Sequence, residues 1–452
     1  MKYQIRNAIF LFCAALLAAP VQGPFCSAQQ PAPYRLTLQD AIHKALQANL
    51  NVLEAGSQVQ EDEGARTRSL SAALLPRVNA EAYANYQNRN LRAFGISVPG
   101  LPLPNVVGPF SNYDFRIYAQ QNVVDLESYR ALKASERTLD AGKMDDQDAR
   151  DLIVRVVAGL YLNAQSAQAR VQAAQTRVTD SSRLLKLATD KHDAGTATGV
   201  DVLRAQVQLA NDKQALLEAG NQYQQSLLQL ARSLGMSPAT PLELAEPLQY
   251  RSLKQPQAED LLPAALTARA DYLSLDRQRQ SLLEQQRASR ARFYPRLSVS
   301  GNIGELGRSI GSVTTTGLIQ GQIDFTVFDR DREGEAQELA GRIQRIEDQI
   351  ADLRRGVEED IREALLNLDS AAEQVSVATD GQNLAQRELE LTQDRFTAGT
   401  ANNVEVVTAQ DELARAEENY ILAVSAHVDA KFAMARAMGD TEKNILEFSR
   451  NP

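Results

Sequence analysis

The sequence is poor in the residues that most often carry catalytic or metal chemistry. It has no tryptophan, three histidines and two cysteines among 452 residues. Both cysteines, Cys13 and Cys26, lie close to the N-terminus, so the rest of the chain can form no disulfide, no thiolate zinc site and no cysteine nucleophile. The histidines are isolated from one another and show no metal-ligand spacing. We therefore expect no metal site and no cofactor.

Patterns typical of several other function classes are also missing. The formal net charge is -9 and no block of basic residues occurs, which argues against nucleic acid as a partner. No apolar run after residue 19 approaches the roughly 18 residues of a membrane-spanning helix. No phosphate-binding glycine loop is found, and the serines near residue 300 lack the strand-to-helix turn of a nucleophile elbow. We expect a protein that is not an enzyme.

The N-terminus has the pattern of a secretory signal peptide. Lys2 and Arg6 precede an apolar segment, and small residues follow Cys26. We predict a signal peptide over residues 1–28 and an exported mature chain without cysteine. Lipidation of Cys26 is the competing interpretation, but the bulky Phe25 stands where a small residue is expected.

A long duplication organises the rest of the chain. The segment DAGTATGVDVLRAQ begins at Asp193, and its relative TAGTANNVEVVTAQ begins at Thr397. The spacing of 204 residues between them also joins Asp125 to Asp329 and Gly235 to Gly439. A repeat of this length indicates a duplicated structural unit rather than a small solenoid repeat.

Each half contains helices and a pair of strands. Gln, Ala, Leu, Arg and Glu dominate long tracts, which is typical of long helices and coiled coils. Pro76 and Pro295 end helices, and the apolar period changes to two residues directly after each proline. The predicted strands have one apolar and one polar face and reach the ~9–11 residues that cross an outer membrane.

We predict two structural repeats, over residues 29–236 and 259–440, joined by a connector over 237–258 and followed by a tail over 441–452. Each repeat opens with a helix. In the first repeat, strands 76–90 and 111–124 precede a helical hairpin over 127–235. In the second repeat, strands 295–307 and 316–328 precede a hairpin over 331–438. At ~1.5 Å per residue, the first helix of each hairpin would be roughly 100 Å long.

Four strands cannot close a barrel, since small barrels need about eight. Unpaired strand edges in lipid would leave costly unsatisfied backbone groups. We therefore expect several copies to pool their strands into one tube, with a barrel at one end and long helices at the other. Passive conduction from the periplasm to the outside is the function such a tube suggests. The alternative is a soluble periplasmic coiled-coil scaffold without a membrane barrel.

The chain resembles the TolC-like outer membrane efflux proteins, also called outer membrane factors, over nearly all its length after the signal. The matching features are the opening LTLQDAIHKALQANL, the Pro-Arg exits from helix to strand, the strand ends at Asp125 and Asp329, and the two Ala-Gly-Thr turns. Their order and duplication carry the resemblance. It implies a mostly α fold in which four strands per chain contribute to a trimeric, twelve-stranded transmembrane β-barrel. Long coiled-coil hairpins would form a tunnel in the periplasm.

The resemblance also implies where the protein works and what it binds. It predicts a homotrimer in the lipid of the bacterial outer membrane, a periplasmic adaptor docked on the hairpin tips, and an inner-membrane transporter behind the adaptor. The channel would passively conduct what the transporter exports, in tripartite efflux or type I secretion. The turn residues Gly195, Thr196, Gly399 and Thr400 are the predicted docking positions. The glycines are expected to be left-handed residues that end helices.

In that family the tunnel narrows at its periplasmic tip. By position, Glu405 and Phe396 fall on the acidic and aromatic members of the constriction, and Asp201 on the partner position of the first hairpin. Three copies of Glu405 around an axis would favour cations. The alternative is that Asp201 and Glu405 only charge or cap the first turn of their helices. Lys191 and Arg395 lie near helix C-termini, where they would complement the helix dipole.

Overall fold

The structure, a computed structural model, describes residues 34–91, 93, 95, 104–253 and 261–450. The predicted signal peptide and Cys26 lie outside the described residues. Within those ranges, no helix is both long and apolar enough to cross a membrane.

Helices dominate the chain, and its strands fall into two small sheets. The strands are β1 (Tyr34–Leu36), β2 (Arg77–Asn90), β3 (Val106–Val124), β4 (Leu242–Leu244), β5 (Arg296–Gly307) and β6 (Val313–Asp324). The helices are α1 (Leu38–Ala48), α2 (Leu50–Leu74), α3 (Leu126–Asp193), α4 (Gly199–Ser233), α5 (Leu261–Ala268), α6 (Ala270–Ala291), α7 (Asp331–Thr397), α8 (Asn403–Met438) and α9 (Thr441–Arg450). Helices α3 and α4 form one hairpin and α7 and α8 the other. The division into repeats stays a prediction.

The opening helix of the first half is broken, although the sequence predicts one helix as far as Leu75. Asn49 has extended backbone and separates α1 from α2. Its Oδ1 accepts from the N–H of Asn51 at 3.0 Å, and its Nδ2 donates to the carbonyl of Ser233 at 3.3 Å. The side chain thus caps α2 and ties the break to the end of α4. Arg269 makes the matching break between α5 and α6.

The larger sheet is antiparallel, in the order β2-β3-β5-β6. β3 begins five residues before its predicted start, because β2 continues to Asn90, which pairs with Val106. β6 ends four residues before its predicted end. Its last residue, Asp324, pairs with Arg296, and the residue before Arg296 is a proline without an N–H to continue the ladder. β2 and β6 are the outer strands, each paired on one side only.

The strand register aligns the apolar rows into one continuous face. Val78 lies opposite Ala119, Ile117 opposite Ile303, and Gly301 opposite Ile319. Ile319 is 87% exposed in the single chain. The predicted alternation is confirmed: a broad apolar face lies on one side, and the polar row of Asp114 and its neighbours lies on the other.

The smaller sheet joins the N-terminal region to the connector. β1 and β4 pair in parallel, with Leu36 opposite Leu244. Both leucines are buried in the main core, together with Tyr161 of α3 and Ile445 of α9. Three-residue strands are too short to show a period, so β4 within the predicted connector left no signal in the sequence. α9 occupies most of the predicted tail.

A buried ionic network joins the two halves near the roots of the hairpins. Arg269 is 5% exposed, and its guanidinium donates to Asp271 at 2.7 and 3.1 Å and to Asp360 of α7 at 2.7 Å. Arg436 of α8 binds Asp148 of α3 at 2.6 Å. Removing one partner of such a pair strands a buried charge. The network therefore fixes where α3, α6, α7 and α8 meet.

Asp151 at the edge of this network should make stability depend on pH. Burial raises its pKa from 3.8 to about 6, although Arg436 and the Thr441 N–H act in the opposite direction. The folded chain holds a proton that the unfolded chain releases above pH 3.8, so the contribution of Asp151 to stability falls as pH rises through 6. We expect the free energy of unfolding of Asp151→Asn, relative to that of the wild type, to be higher at pH 7.5 than at pH 4, by up to roughly 3 kcal/mol. Circular dichroism of unfolding at both pH values tests this. An equal difference at both would contradict it.

Candidate functional site

The first hairpin turns in a tight helix-ending motif. Gly195 has φ of +75°, the left-handed conformation expected there. Its N–H donates to the carbonyl of His192 at 2.9 Å, and the N–H of Thr196 donates to that of Lys191 at 2.8 Å. This pair of bonds is the Schellman arrangement, which satisfies the last carbonyls of α3. The hydroxyl of Thr196 also donates to the Lys191 carbonyl, at 3.0 Å.

The second hairpin repeats the same geometry. Gly399 has φ of +78° and donates to the carbonyl of Phe396 at 3.1 Å. The N–H and hydroxyl of Thr400 both donate to the carbonyl of Arg395, at 2.9 and 3.1 Å. Nothing lies within 4 Å of a Cβ placed on either glycine, so the left-handed backbone and not crowding requires glycine here. Both turns are solvent-exposed ends of long helices.

Asp201 caps the helix that follows the first turn. Its N–H donates to the Thr198 hydroxyl at 3.3 Å, and its carboxylate accepts from the Thr198 N–H at 2.9 Å and from the Thr198 hydroxyl at 2.7 Å. These bonds form a capping box and lower the pKa of Asp201. The capping alternative describes its contacts within one chain. A role in the lumen stays a prediction.

Glu405 occupies the equivalent position in the second hairpin and has a closer charged partner than Asp201, whose carboxylate lies 3.9 Å from Nη1 of Arg204. It shares a capping box with Asn402, with N–H···O distances of 3.1 and 3.3 Å. Its Oε2 also lies 3.2 Å from Nη1 of Arg395 at the end of α7. The side chain of Glu405 remains 40% exposed. The carboxylate is therefore both capped and paired, and its place at a constriction stays a prediction.

Two polar contacts tie the hairpin tips together. The ammonium of Lys191 donates to the carbonyls of Phe396 and, at 3.2 Å, Thr397, at the C-terminus of α7. Nδ2 of Asn403 donates to the carbonyl of Asp201 at 2.7 Å. From the sequence, Lys191 was predicted to complement the dipole of its own helix, α3. In the structure, its ammonium binds carbonyls of the other hairpin, at the end of α7. Neither tie was predicted. At the 204-residue spacing, Asn403 stands where the first half has Gly199. This difference between the two halves was the sequence feature that could have pointed to the Asn403 contact.

An apolar cluster supports these ties from within. It draws on all four hairpin helices: Leu184, Ala188, Ala205, Ala385, Leu389, Phe396, Val406, Ala409 and Leu413. Phe396 is 5% exposed and packs between the two hairpins, with the Lys191 ammonium 4.8 Å from its ring centre. In the single chain its ring therefore joins the tips. Its predicted part in a constriction stays a prediction.

An exposed apolar groove lies between α4 and α8 at the tips. Val200, Leu203 and Val207 of α4 are exposed. They face Val404 and Val407 of α8 across a groove of about 420 Å³. Exposed contiguous apolar surface of this kind marks an interaction site in soluble regions of proteins.

Comparison with known proteins decides the family. The sequence pattern of the family described as outer membrane efflux protein matches residues 41–236 and 261–440, which together make up most of the chain. The chain belongs to the outer membrane efflux protein family. It is thus an efflux channel of the bacterial outer membrane with its helical part in the periplasm, and the soluble scaffold is not supported. The family consists of channels, not enzymes.

Individual relatives of this outer membrane efflux protein are distant but match along most of its length. The pyoverdine export outer membrane protein OpmQ of Pseudomonas aeruginosa is 22% identical over 416 residues, covering 89% of this chain and 85% of OpmQ. The toluene efflux pump outer membrane protein TtgF of Pseudomonas putida is 22% identical over 422 residues, covering 90% of this chain and 84% of TtgF.

Solved structures confirm the fold. The outer membrane protein VceC of Vibrio cholerae matches with a TM-score of 0.73 at 18% identity, over 89% of this chain and 96% of VceC. The outer-membrane channel OprN matches with a TM-score of 0.72 at 17% identity, over 90% of each chain. The outer membrane efflux protein therefore has the predicted architecture, mostly helical with strands that contribute to a barrel.

Proposed function

We propose that three copies of this chain form one channel, each giving β2, β3, β5 and β6 to a twelve-stranded barrel and two hairpins to a periplasmic tunnel. The observation that carries this proposal is the sheet itself. It has a continuous apolar face and two outer strands, β2 and β6, with one unpaired side each. Four strands are too few to close, and open edges in lipid are costly. Pairing β6 of one copy with β2 of the next removes every edge.

The hairpin tips are the proposed periplasmic gate. Glu405, Asp201 and Phe396 would lie at or beside the narrowest part, with three copies of Glu405 around the axis. The ion pair with Arg395 tempers the negative charge of that ring. The ties made by Lys191 and Asn403 would hold the second hairpin against the first and so favour a closed tip.

The proposed partners are a periplasmic adaptor and an inner-membrane transporter. The turns at Gly195, Thr196, Gly399 and Thr400 would meet the adaptor, since they are exposed and adjacent to the apolar groove. OpmQ and TtgF are named for pyoverdine and toluene. We propose that this channel likewise conducts small organic molecules, with the choice among them made by the transporter.

The test of the assembly is the mass and shape of the detergent-solubilised protein, from light scattering and negative-stain imaging. A trimer with an elongated body longer than about 100 Å is expected. In planar bilayers the same sample should form discrete channels. A monomer that stays in solution without detergent would overturn the proposal.

Removing the charge of Glu405 should lower the preference of the channel for cations. Glutamine at this position keeps the capping box, so Glu405→Gln changes charge with little change in the helix. Arg395→Gln should act in the opposite direction, because it frees the carboxylate of Glu405 from its ion pair. Reversal potentials in a salt gradient measure both effects. Glu442→Gln, an exposed change on α9, is the matched control. Equal selectivity in all four proteins would exclude Glu405 from the conducting path.

A further inference from the structure

A cavity of about 380 Å³ lies where the connector covers the helices, away from the hairpin tips. Its walls come from the start of α1, from α3, from residues 245–251 of the connector, from α8 and from α9. Leu248, Phe432 and Phe448 give it an apolar surface, and Lys431 is the charged residue that α8 contributes. We call it the connector cavity. Its size is in the range of small-molecule sites, which are mostly apolar with a few placed polar groups.

Lys431 is unusual because it is a buried cation that has no counter-charge in the part of the chain that the structure describes. It is 3% exposed, and its ammonium donates to the backbone carbonyl of Arg251. Among the described residues, no carboxylate forms an ion pair with it. Buried charges are normally paired, because losing their hydration costs several kcal/mol. One carbonyl uses only one of the three N–H groups of the ammonium.

The groups around Lys431 leave its ammonium protonated and unpaired at neutral pH. Burial and the nearby Arg251 lower the pKa of Lys431 to about 8, which leaves it mostly protonated at neutral pH. His427, one turn earlier on α8, is buried, and burial lowers its pKa to about 4, so it is neutral. Two carboxylates lie in this region, and neither forms an ion pair with Lys431: Asp40 accepts from the Thr37 hydroxyl at 2.7 Å, and Glu246 lines the cavity but is exposed. The N-terminus of α1 adds its partial positive charge at the rim.

We infer that the connector cavity binds an amphiphilic anion, with a carboxylate or phosphate head on Lys431 and an alkyl or ring body against Leu248, Phe432 and Phe448. A charge-assisted hydrogen bond would satisfy the ammonium, and the apolar wall would cover the rest of the ligand. The inference concerns a site within one chain. It does not depend on the proposed trimer, gate or adaptor.

Binding of matched probes tests the inference. The full-length protein in a neutral detergent is titrated with octanoate, octyl phosphate and octanol, and saturation-transfer NMR reports each probe. We expect both anions to bind at least about tenfold more tightly than octanol. Their heads can make a charge-assisted hydrogen bond to Lys431 that the octanol hydroxyl cannot match. Lys431→Met should abolish the preference for the anions, and Lys431→Arg should keep it. Lys443→Met, an exposed change on α9, should leave binding unchanged.

Equal binding of octanoate and octanol to the unmodified protein would overturn the inference, even if Lys431→Met failed to fold. So would an anion preference that survives Lys431→Met. Native mass spectrometry of the gently extracted protein then distinguishes the two possible ligands, a membrane lipid and a soluble acid, which share the same kind of anionic head. A retained phospholipid that octyl phosphate displaces would identify a lipid, and an empty site that accepts octanoate would identify a soluble acid.

Discussion

Replacing Ile319 with lysine is expected to remove most of the protein from the outer membrane. Ile319 lies midway along β6 on the apolar face and is 87% exposed. A lysine at the lipid-facing midplane of a barrel costs about 2–4 kcal/mol, and a trimer would carry this cost three times. We expect at least about a tenfold loss of membrane-inserted protein, because 1.4 kcal/mol already corresponds to a factor of ten. Carbonate-washed outer-membrane fractions measure the loss.

The neighbouring residue is the matched control for this experiment. Gln320 is exposed as well but belongs to the polar face, since successive strand residues point to opposite sides. Gln320→Lys should therefore assemble normally. If both lysine variants assembled equally well, the apolar face would not be the surface that contacts lipid.

Replacing Lys191 with methionine should loosen the tip and increase conductance. The ammonium makes two charge-assisted bonds to the carbonyls that end α7, at Phe396 and Thr397. Bonds to charged groups are worth about 1.5–3 kcal/mol, so their loss should shift a closed-to-open equilibrium by roughly ten- to a hundredfold. Single-channel recording measures the open fraction directly.

Two further variants make the result specific. Lys186→Met removes an exposed lysine less than two turns earlier on α3, where no such bond is found, and should leave the open fraction unchanged. Asn403→Ala removes the neutral bond to Asp201 and should have a smaller effect than Lys191→Met. An open fraction that neither Lys191→Met nor Asn403→Ala alters would show that the ties do not hold the gate.

The sequence predicted features that repeat along the chain. The alternation after Pro76 and Pro295 indicated strands and their lipid-facing rows, because a period of two residues follows directly from strand geometry. The paired Ala-Gly-Thr segments located both turns, because a left-handed residue that ends a helix is usually glycine. Such signals lie within a few neighbouring residues. They do not require knowledge of which distant segment lies alongside.

Features that depend on distant contacts were not predictable in the same way. The break at Asn49 depends on the carbonyl of Ser233, far along the chain. Lys191 could be placed near a helix end, but the two carbonyls that it binds lie 205 and 206 residues later, at the end of α7. Arg395 and Glu405 were each noticed, whereas their pairing arises from the path of the turn between them. Phe396 is buried because two hairpins pack together, which no local pattern expresses.

The two outer strands of the sheet also have a genetic consequence. In the proposed trimer, a chain whose β2 edge is damaged would still offer its β6 edge to a normal neighbour, and so would enter assemblies that it then prevents from closing. With equal amounts of normal and damaged chains, random mixing in a trimer leaves only about one assembly in eight free of damaged copies. An edge mutation in this protein should therefore be dominant, whereas a mutation that stops the chain from being made should be recessive.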